Sequence, residues 1–216
     1  MAKGKALKSI ELFAGAGGLG MGFSKAGFNP AAIIEWDEDC CFTLNENIAR
    51  HVSALKRWRI TQGDVRSVSF RDFQDKVSVV TGGPPCQPFS LGGRHGAYSD
   101  GRDMFPQAVR AVREVRPKAF VFENVKGLTR PSFRNYVEYI RLQLAHPELS
   151  VEDGESWHEH LSRLEEHETK GKIRGLNYTV LIHVANAADF GVPQKRERVF
   201  FVGFRSDVQT AWHFPL

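Results

Sequence analysis

The feature that most restricts what this chain can fold into is an alternation, five or six times over, of short β-rich runs with helical patterns. Strands are expected at Lys8–Phe13, Pro30–Glu35, Val77–Thr81 and Lys118–Glu123, with a weaker one near Arg59–Gly63 that ends at Asp64 and two more near Tyr178–Ala185 and Arg198–Phe204. Helices are expected through Gly22–Ala26 and over Asp37–Ile48, Met104–Arg116 and Ser132–Leu144. The last two carry apolar residues at helical spacing (Phe105, Ala108, Val109, Val112 and Val115; Phe133, Val137, Ile140 and Leu144). Pro117 restricts the residue before it and stops the first of these two. Strand and helix in alternation specify an α/β fold, doubly wound, with a mostly parallel sheet covered on both faces. Val77–Thr81 is a continuous apolar run, as a strand buried on both faces requires. With 216 residues the expectation is a single domain, 1–216.

In such sheets ligands bind beyond the carboxyl ends of the strands. The unusual residues collect there: Phe13–Gly20, Glu35, Asp64, Gly82–Ser90 and Glu123–Asn124. Gly15, Gly17, Gly18 and Gly20 follow a strand and open a helix, so the backbone there approaches a ligand closely and aims free N–H groups at it. Glu35, twenty residues beyond Gly15, is placed to accept hydrogen bonds from both hydroxyls of a ribose. On these residues alone a nicotinamide dinucleotide and S-adenosylmethionine fit equally. Asp64 reads either as a ligand group or as a turn cap.

Composition excludes several classes. No apolar run reaches the roughly 18–20 residues that span a bilayer, and the basic start leads directly into a strand with no apolar signal region, so the expected location is the cytoplasm. Three cysteines, two of them adjacent, form neither a disulfide framework nor a zinc motif, and no metal is expected. The net charge of +4 hides an asymmetry: residues 151–168 carry −6, leaving +10 on the rest. A basic body with an acidic insert at about 145–172 suits a polyanionic partner.

The most informative stretch is Thr81, Gly82, Gly83, Pro84, Pro85, Cys86, Gln87, Pro88, Phe89, Ser90. Two prolines fix the backbone before Cys86, so this thiol is presented, whereas Cys40 and Cys41 read as small buried hydrophobes. A nucleophilic thiolate needs an electrophile, a proton source and a cation to hold charge. Glu123 supplies a carboxyl group, and Arg196 and Arg198 supply guanidinium forks.

Phe13-Ala-Gly15-x-Gly17-Gly18, Gly83-Pro-Pro-Cys86-Gln-Pro-Phe-Ser90, Glu123-Asn124-Val125 and Ala188-Asp-Phe-Gly191-Val-Pro-Gln194-Lys-Arg196-Glu-Arg198 stand in the order and roughly the spacing of the cytosine-C5 DNA methyltransferases, and over residues 8–205 the chain resembles that family. The resemblance implies a Rossmann-like domain of the S-adenosylmethionine-dependent type that transfers a methyl group to C5 of a flipped-out cytosine in double-stranded DNA and releases S-adenosylhomocysteine. It implies cofactor contacts at Phe13, Gly15, Gly17, Gly18, Leu19, Glu35, Trp36, Asp64, Val65 and Pro84. It further implies that Cys86 adds to C6 while Glu123 meets N3 and Arg198 stands near O2, with Arg196 beside them. The Gly-rich stretch Ser90–Asp103 has the composition of a hinged lid, and Gln87, Ser90, Arg94 and Arg102 are the expected DNA contacts. No residue stands out as the base that removes the C5 proton. Nothing in the sequence resembles a target-recognition region, so the chain reads as the amino-terminal partner of a split enzyme, with a second polypeptide carrying that region, or as a truncated form. A tRNA cytosine methyltransferase and an inert cofactor-binding fragment are the alternatives. The 145–172 insert reads as a surface elaboration.

Overall fold

The computed structural model describes residues 7–85, 103–170 and 175–215. Seven strands form one sheet: β1 (Lys8–Leu12), β2 (Asn29–Glu35), β3 (Ile60–Gln62), β4 (Val79–Gly82), β5 (Ala119–Val125), β6 (Tyr178–Asn186) and β7 (Glu197–Arg205). Five α-helices accompany them: α1 (Gly18–Lys25), α2 (Glu38–Ala49), α3 (Phe105–Val115), α4 (Arg134–Ala145) and α5 (Trp157–Thr169). The strand order is β3-β2-β1-β4-β5-β7-β6. The first five strands are mutually parallel, and β7 runs antiparallel to both β5 and β6. The mostly parallel sheet is therefore present, with its final strand inverted. Residues 187–196, which link β6 to β7, contain only a short 3-10 turn at Ala187–Phe190, so the chain turns back as a hairpin instead of crossing over.

Side-chain alternation divides the core between the two faces of the sheet. Ile10, Leu12, Val80, Phe120, Phe122, Val199 and Phe201 meet α3 and α4 in the large cluster. Phe105 of α3 packs edge-on to Phe201 with ring centroids 5.6 Å apart, an arrangement that adds about 1 kcal/mol to the area it buries. On the other face Ala14, Ile33, Leu44, Leu55 and Trp58 form a smaller cluster with α1 and α2.

The acidic insert departs from expectation. Residues 157–169 form α5, started by a reciprocal capping box in which Ser156 accepts from the Glu159 N–H and the Glu159 carboxylate accepts from the Ser156 N–H. Leu161 and Leu164 join the main core, and buried His160 bonds to the hydroxyl of Tyr139 on α4 at 2.7 Å. The segment is thus core structure as well as surface. Its acids are largely engaged: Glu168 with Arg141, Glu155 with Arg163, Glu166 with Lys170. Because α5 covers the outer side of α4, Tyr136, Tyr139 and Gln143 are buried as well as Ile140 and Leu144, and the apolar stripe read from the sequence is only part of that helix's buried surface.

A candidate cofactor cleft and an adjoining cavity

The carboxyl ends of β1, β2 and β4 surround a cleft of about 540 Å³ lined by Phe13, Gly15, Glu35, Trp36, Asp64 and Val65, all expected from the sequence. Ile34, Gly63, Arg66 and Met104 complete the lining and were not expected, together with Gly83 and Pro85, which were expected near the site but not as cofactor contacts. Their signal was proximity alone, since each neighbours an expected residue or flanks the cysteine loop. Gly15 and Phe13 both hold positive φ, +53° and +55°. For phenylalanine this is a strained conformation, retained at the centre of the cleft.

Glu35 ends β2, 6% exposed, and its carboxylate organises the rim. Oε2 accepts from the Gly15 N–H at 2.6 Å, and Oε1 accepts from the N–H groups of Trp36 and Asp37 at 2.8 Å each. These bonds fix the orientation of the carboxylate and leave further lone-pair capacity for hydroxyl donors. The Trp36 ring is 71% exposed, unusual for so large an apolar surface, and it stands on the cleft wall. A fixed carboxylate beside an open indole has the chemistry to take an adenosine, whose diol would meet the acid and whose ring would meet the indole. Asp64 caps the turn Val65–Ser67, accepting from the Arg66 N–H at 2.9 Å, and pairs with the Arg66 guanidinium, which holds its carboxyl below the usual range. Both readings of Asp64 meet here, as a turn cap and as a cleft residue.

Gly17 turns the other way. It sits at the N-cap of α1 with φ +85°, and a Cβ there would lie 2.7 Å from Leu44 and 2.9 Å from Trp58, so its role in this structure is the turn and the close packing. Gly18 and Leu19 line a second cavity of about 630 Å³ that shares Phe13 and Gly83 with the first. Arg196, Glu123 and Arg198 line it too. Antiparallel pairing sets Val125 opposite Arg198, and the Arg198 Nε lies 2.8 Å from Glu123 Oε1. The inverted β7 is what brings the two groups together. Arg196 is exposed, and its backbone N–H is held by Asn186 Oδ1 at 3.0 Å. Trp212 and Phe214 close the far side of this cavity, Phe214 stacking on His183 with centroids 4.4 Å apart.

The root of the cysteine loop lies at the junction of the two cavities. Asn124 Nδ2 donates to the Pro84 carbonyl at 2.9 Å, so Pro84 is held from beside Glu123 and does not line the cofactor cleft. The Met104 N–H donates to the Pro85 carbonyl at 3.0 Å, and a Cβ on Gly83 would stand 3.5 Å from Glu123 Oε2. Cys86, Gln87, Ser90, Arg94 and Arg102 lie outside the described residues. The other two thiols are poor nucleophiles: a bond to Asp37 and burial push Cys40 up to about 11, and burial raises buried Cys41. Glu11 was not anticipated. It is 2% exposed beneath α1, Oε1 accepts from the Gly20 N–H at 2.9 Å, Oε2 has no partner among the described residues, and burial pushes the carboxyl up to about 8. No group of three or more described His, Cys, Asp or Glu residues is arranged to hold a metal ion, and no helix among the described residues is long and apolar enough to cross a membrane.

Comparison with known proteins adds to this geometry. Residues 7–152 and 159–215 match the family model of the C-5 cytosine-specific DNA methylases, the break falling just before and at the start of α5. The type II methyltransferase M.AquIA of Picosynechococcus sp. is 37% identical over 206 residues, covering 92% of this chain and 72% of that protein. M.NgoMIV of Neisseria gonorrhoeae is 34% identical over 207 residues, covering 96% of this chain and 54% of that one. A DNMT2 variant structure from Spodoptera frugiperda superimposes with a TM-score of 0.61 at 15% identity, covering 96% of this chain and 52% of the other, which shows a shared fold. Against both the second relative and this structure the chain spans about half the partner's length.

Proposed function

The chain belongs to the C-5 cytosine-specific DNA methylase family, and on that premise we propose that it is the cofactor-binding and catalytic part of a cytoplasmic enzyme that methylates C5 of cytosine in double-stranded DNA. The observation that carries the reading is the shared wall of the two cavities. Phe13 and Gly83 border both, so the Glu123–Arg198 pair stands beside the cleft that fits an adenosine, at the root of the loop bearing Cys86.

When bound, S-adenosylmethionine supplies a methyl group activated on a sulfonium. Gly15, Glu35 and Trp36 would hold its adenosine, with Asp64 and Val65 at the adenine edge. C5 of cytosine is too poor a nucleophile to react unaided. Addition of the Cys86 thiolate to C6 puts electron density onto C5 and toward N3 and O2. A proton shared between the Glu123 carboxyl group and N3 meets the charge there as it develops, and the Arg198 guanidinium meets it at O2. Arg198 directs Nε to Glu123 and Nη1 to the Glu197 carbonyl, so the pair is oriented before a base arrives. With the methyl group on C5, loss of the C5 proton and departure of Cys86 restore the ring. A target base in a stacked duplex lies out of reach of the thiol, so it is flipped out at a cost of a few kcal/mol. Base-sequence reading would come from polypeptide beyond these 216 residues, in the same chain or a second one, as the greater length of the relatives suggests.

Calorimetric titration of the chain with S-adenosylhomocysteine and, separately, NADH tests the cofactor. The reading requires binding of the first only; binding of NADH alone would make the glycine loop a dinucleotide site. Radiolabelled methyl transfer by the completed enzyme to duplex DNA and to RNA tests the acceptor, and label confined to RNA would replace DNA by RNA.

A further inference from the structure

Directly after Glu123 the chain runs through Val125–Asn135, which carries Lys126, Arg130 and Arg134 and no acidic residue. These three cations are exposed. Lys126 Nζ pairs with Glu197, tying the segment to the start of β7, where exposed Lys195 and Arg196 immediately precede Glu197. Two basic stretches from separate parts of the chain thus meet at the rim of the pocket that holds Glu123 and Arg198. Lys126 and Glu197 neutralise each other. Among the described residues, Arg130, Arg134, Lys195 and Arg196 have no carboxylate partner; several other surface cations, Lys25 and Arg71 among them, share that property. What sets these four apart is that two unpaired pairs lie in stretches tied together by Lys126 and Glu197 beside Glu123 and Arg198.

The start of α4 adds an independent observation. Arg134 is its first residue, the first turn has no acid, and Phe133 at the N-cap offers no side-chain cap. A cation at the positive end of a helix is locally unfavourable, and helix N-termini ordinarily attract acids. That arrangement becomes favourable when an anion lies against both the guanidinium and the helix terminus. The acids of α5 do not offset it, since Glu155, Glu166 and Glu168 are engaged with Arg163, Lys170 and Arg141.

We propose that Arg130 and Arg134, with Lys195 and Arg196 of the stretch that the Lys126–Glu197 pair ties to theirs, form a clamp for the sugar–phosphate backbone of duplex DNA beside the pocket of Glu123 and Arg198. The inference rests on the substrate reading above and adds to it a contact surface outside the cysteine loop. A backbone held here positions the duplex without reading its sequence.

The test is equilibrium binding of the chain to a non-specific 30-base-pair duplex over a salt series, for wild type, the double variant R130A/R134A, and K25A/R71A. The last removes two exposed charges from the other end of the strands, near the end of α1 before β2 and in the turn before β4. Each lost phosphate contact lowers the slope of log K against log salt by about 0.9, so R130A/R134A is expected to lower it by roughly 1.8. K25A/R71A should match wild type, and all three should bind S-adenosylhomocysteine alike, which also shows that they are folded. An unchanged slope in R130A/R134A, or an equal fall in K25A/R71A, overturns the clamp while leaving the methyl-transfer reading intact. Wild-type protein that holds no duplex at low salt also overturns it, and the acceptor assay then decides the substrate separately.

Discussion

Replacing Glu11 by glutamine should make the fold less sensitive to alkaline pH. The Glu11 carboxyl lies between β1 and α1, with Oε1 on the Gly20 N–H and Oε2 against the Gly20 Cα, where an added Cβ would sit 1.6 Å away. Burial is the main cause that carries it from 4.5 to about 8, the nearby Glu35 charge adds to this, and the Gly20 bond partly opposes it. Below about pH 4.5 the folded and unfolded chains both hold the proton. Between 4.5 and 8 the unfolded chain releases it and the folded one retains it, so stability falls as pH rises, by roughly 1.4 kcal/mol per pH unit. Across the whole interval this withdraws on the order of 5 kcal/mol, and above pH 8 the loss levels off. Glutamine keeps the bond from Gly20 and cannot ionise. Its amide, like the protonated acid, places one polar atom without a partner, so the two proteins should lie within about 2 kcal/mol of each other near pH 5. Urea unfolding at intervals from pH 5.5 to 9 reads the difference directly. Glu11→Gln should gain on wild type up to about pH 8, level off above it, and be the more stable protein at pH 9. Parallel pH profiles would refute the reasoning and mean that Glu11 is charged in the fold.

Three further outcomes are expected. Gly203→Ala drives a methyl group to 2.1 Å from the Phe120 ring in the centre of the core, so overpacking should cost about 1–3 kcal/mol, read as a lower Tm; an unchanged Tm would contradict the packing described. Trp36→Ala removes the exposed indole from the cleft wall and should weaken S-adenosylhomocysteine binding about tenfold by calorimetry, with unfolding unaffected. Iodoacetamide at pH 8, followed by peptide mass analysis, should label Cys86 ahead of Cys40 and Cys41, whose thiols are both raised; labelling in the reverse order would remove the argument for a presented thiol.

The parts of the fold readable in the sequence were those fixed locally. A strand ending in glycines before a helix, an acid at the end of the next strand, and a continuous apolar run for β4 each carry their own signal, and Glu35 and Glu123 fall where they were expected. The inverted β7 was not readable, because strand direction depends on whether the intervening chain crosses over or turns back. That inversion sets Arg198 against Glu123; the resemblance had brought the two residues together, but the strand direction that does so was not legible. Helix α5 was missed although Ser156 and Glu159 announce it, because the acids around them dominated the reading of the segment. Glu11 resembles any polar residue of a half-exposed strand, and only the close packing of α1 over β1 buries it and pushes its carboxyl up. Gly17 matched a ligand-binding fingerprint, and its close packing against Leu44 and Trp58, residues far along the chain, was a further constraint that the fingerprint does not show.

The most direct test of the account is Cys86→Ser, assayed side by side for S-adenosylhomocysteine binding by calorimetry and for radiolabelled methyl transfer to duplex DNA by the completed enzyme. The account predicts cofactor binding within about twofold of wild type, less than 1 kcal/mol, with methyl transfer abolished. Methyl transfer to cytosine at near wild-type rate by the serine variant would contradict it.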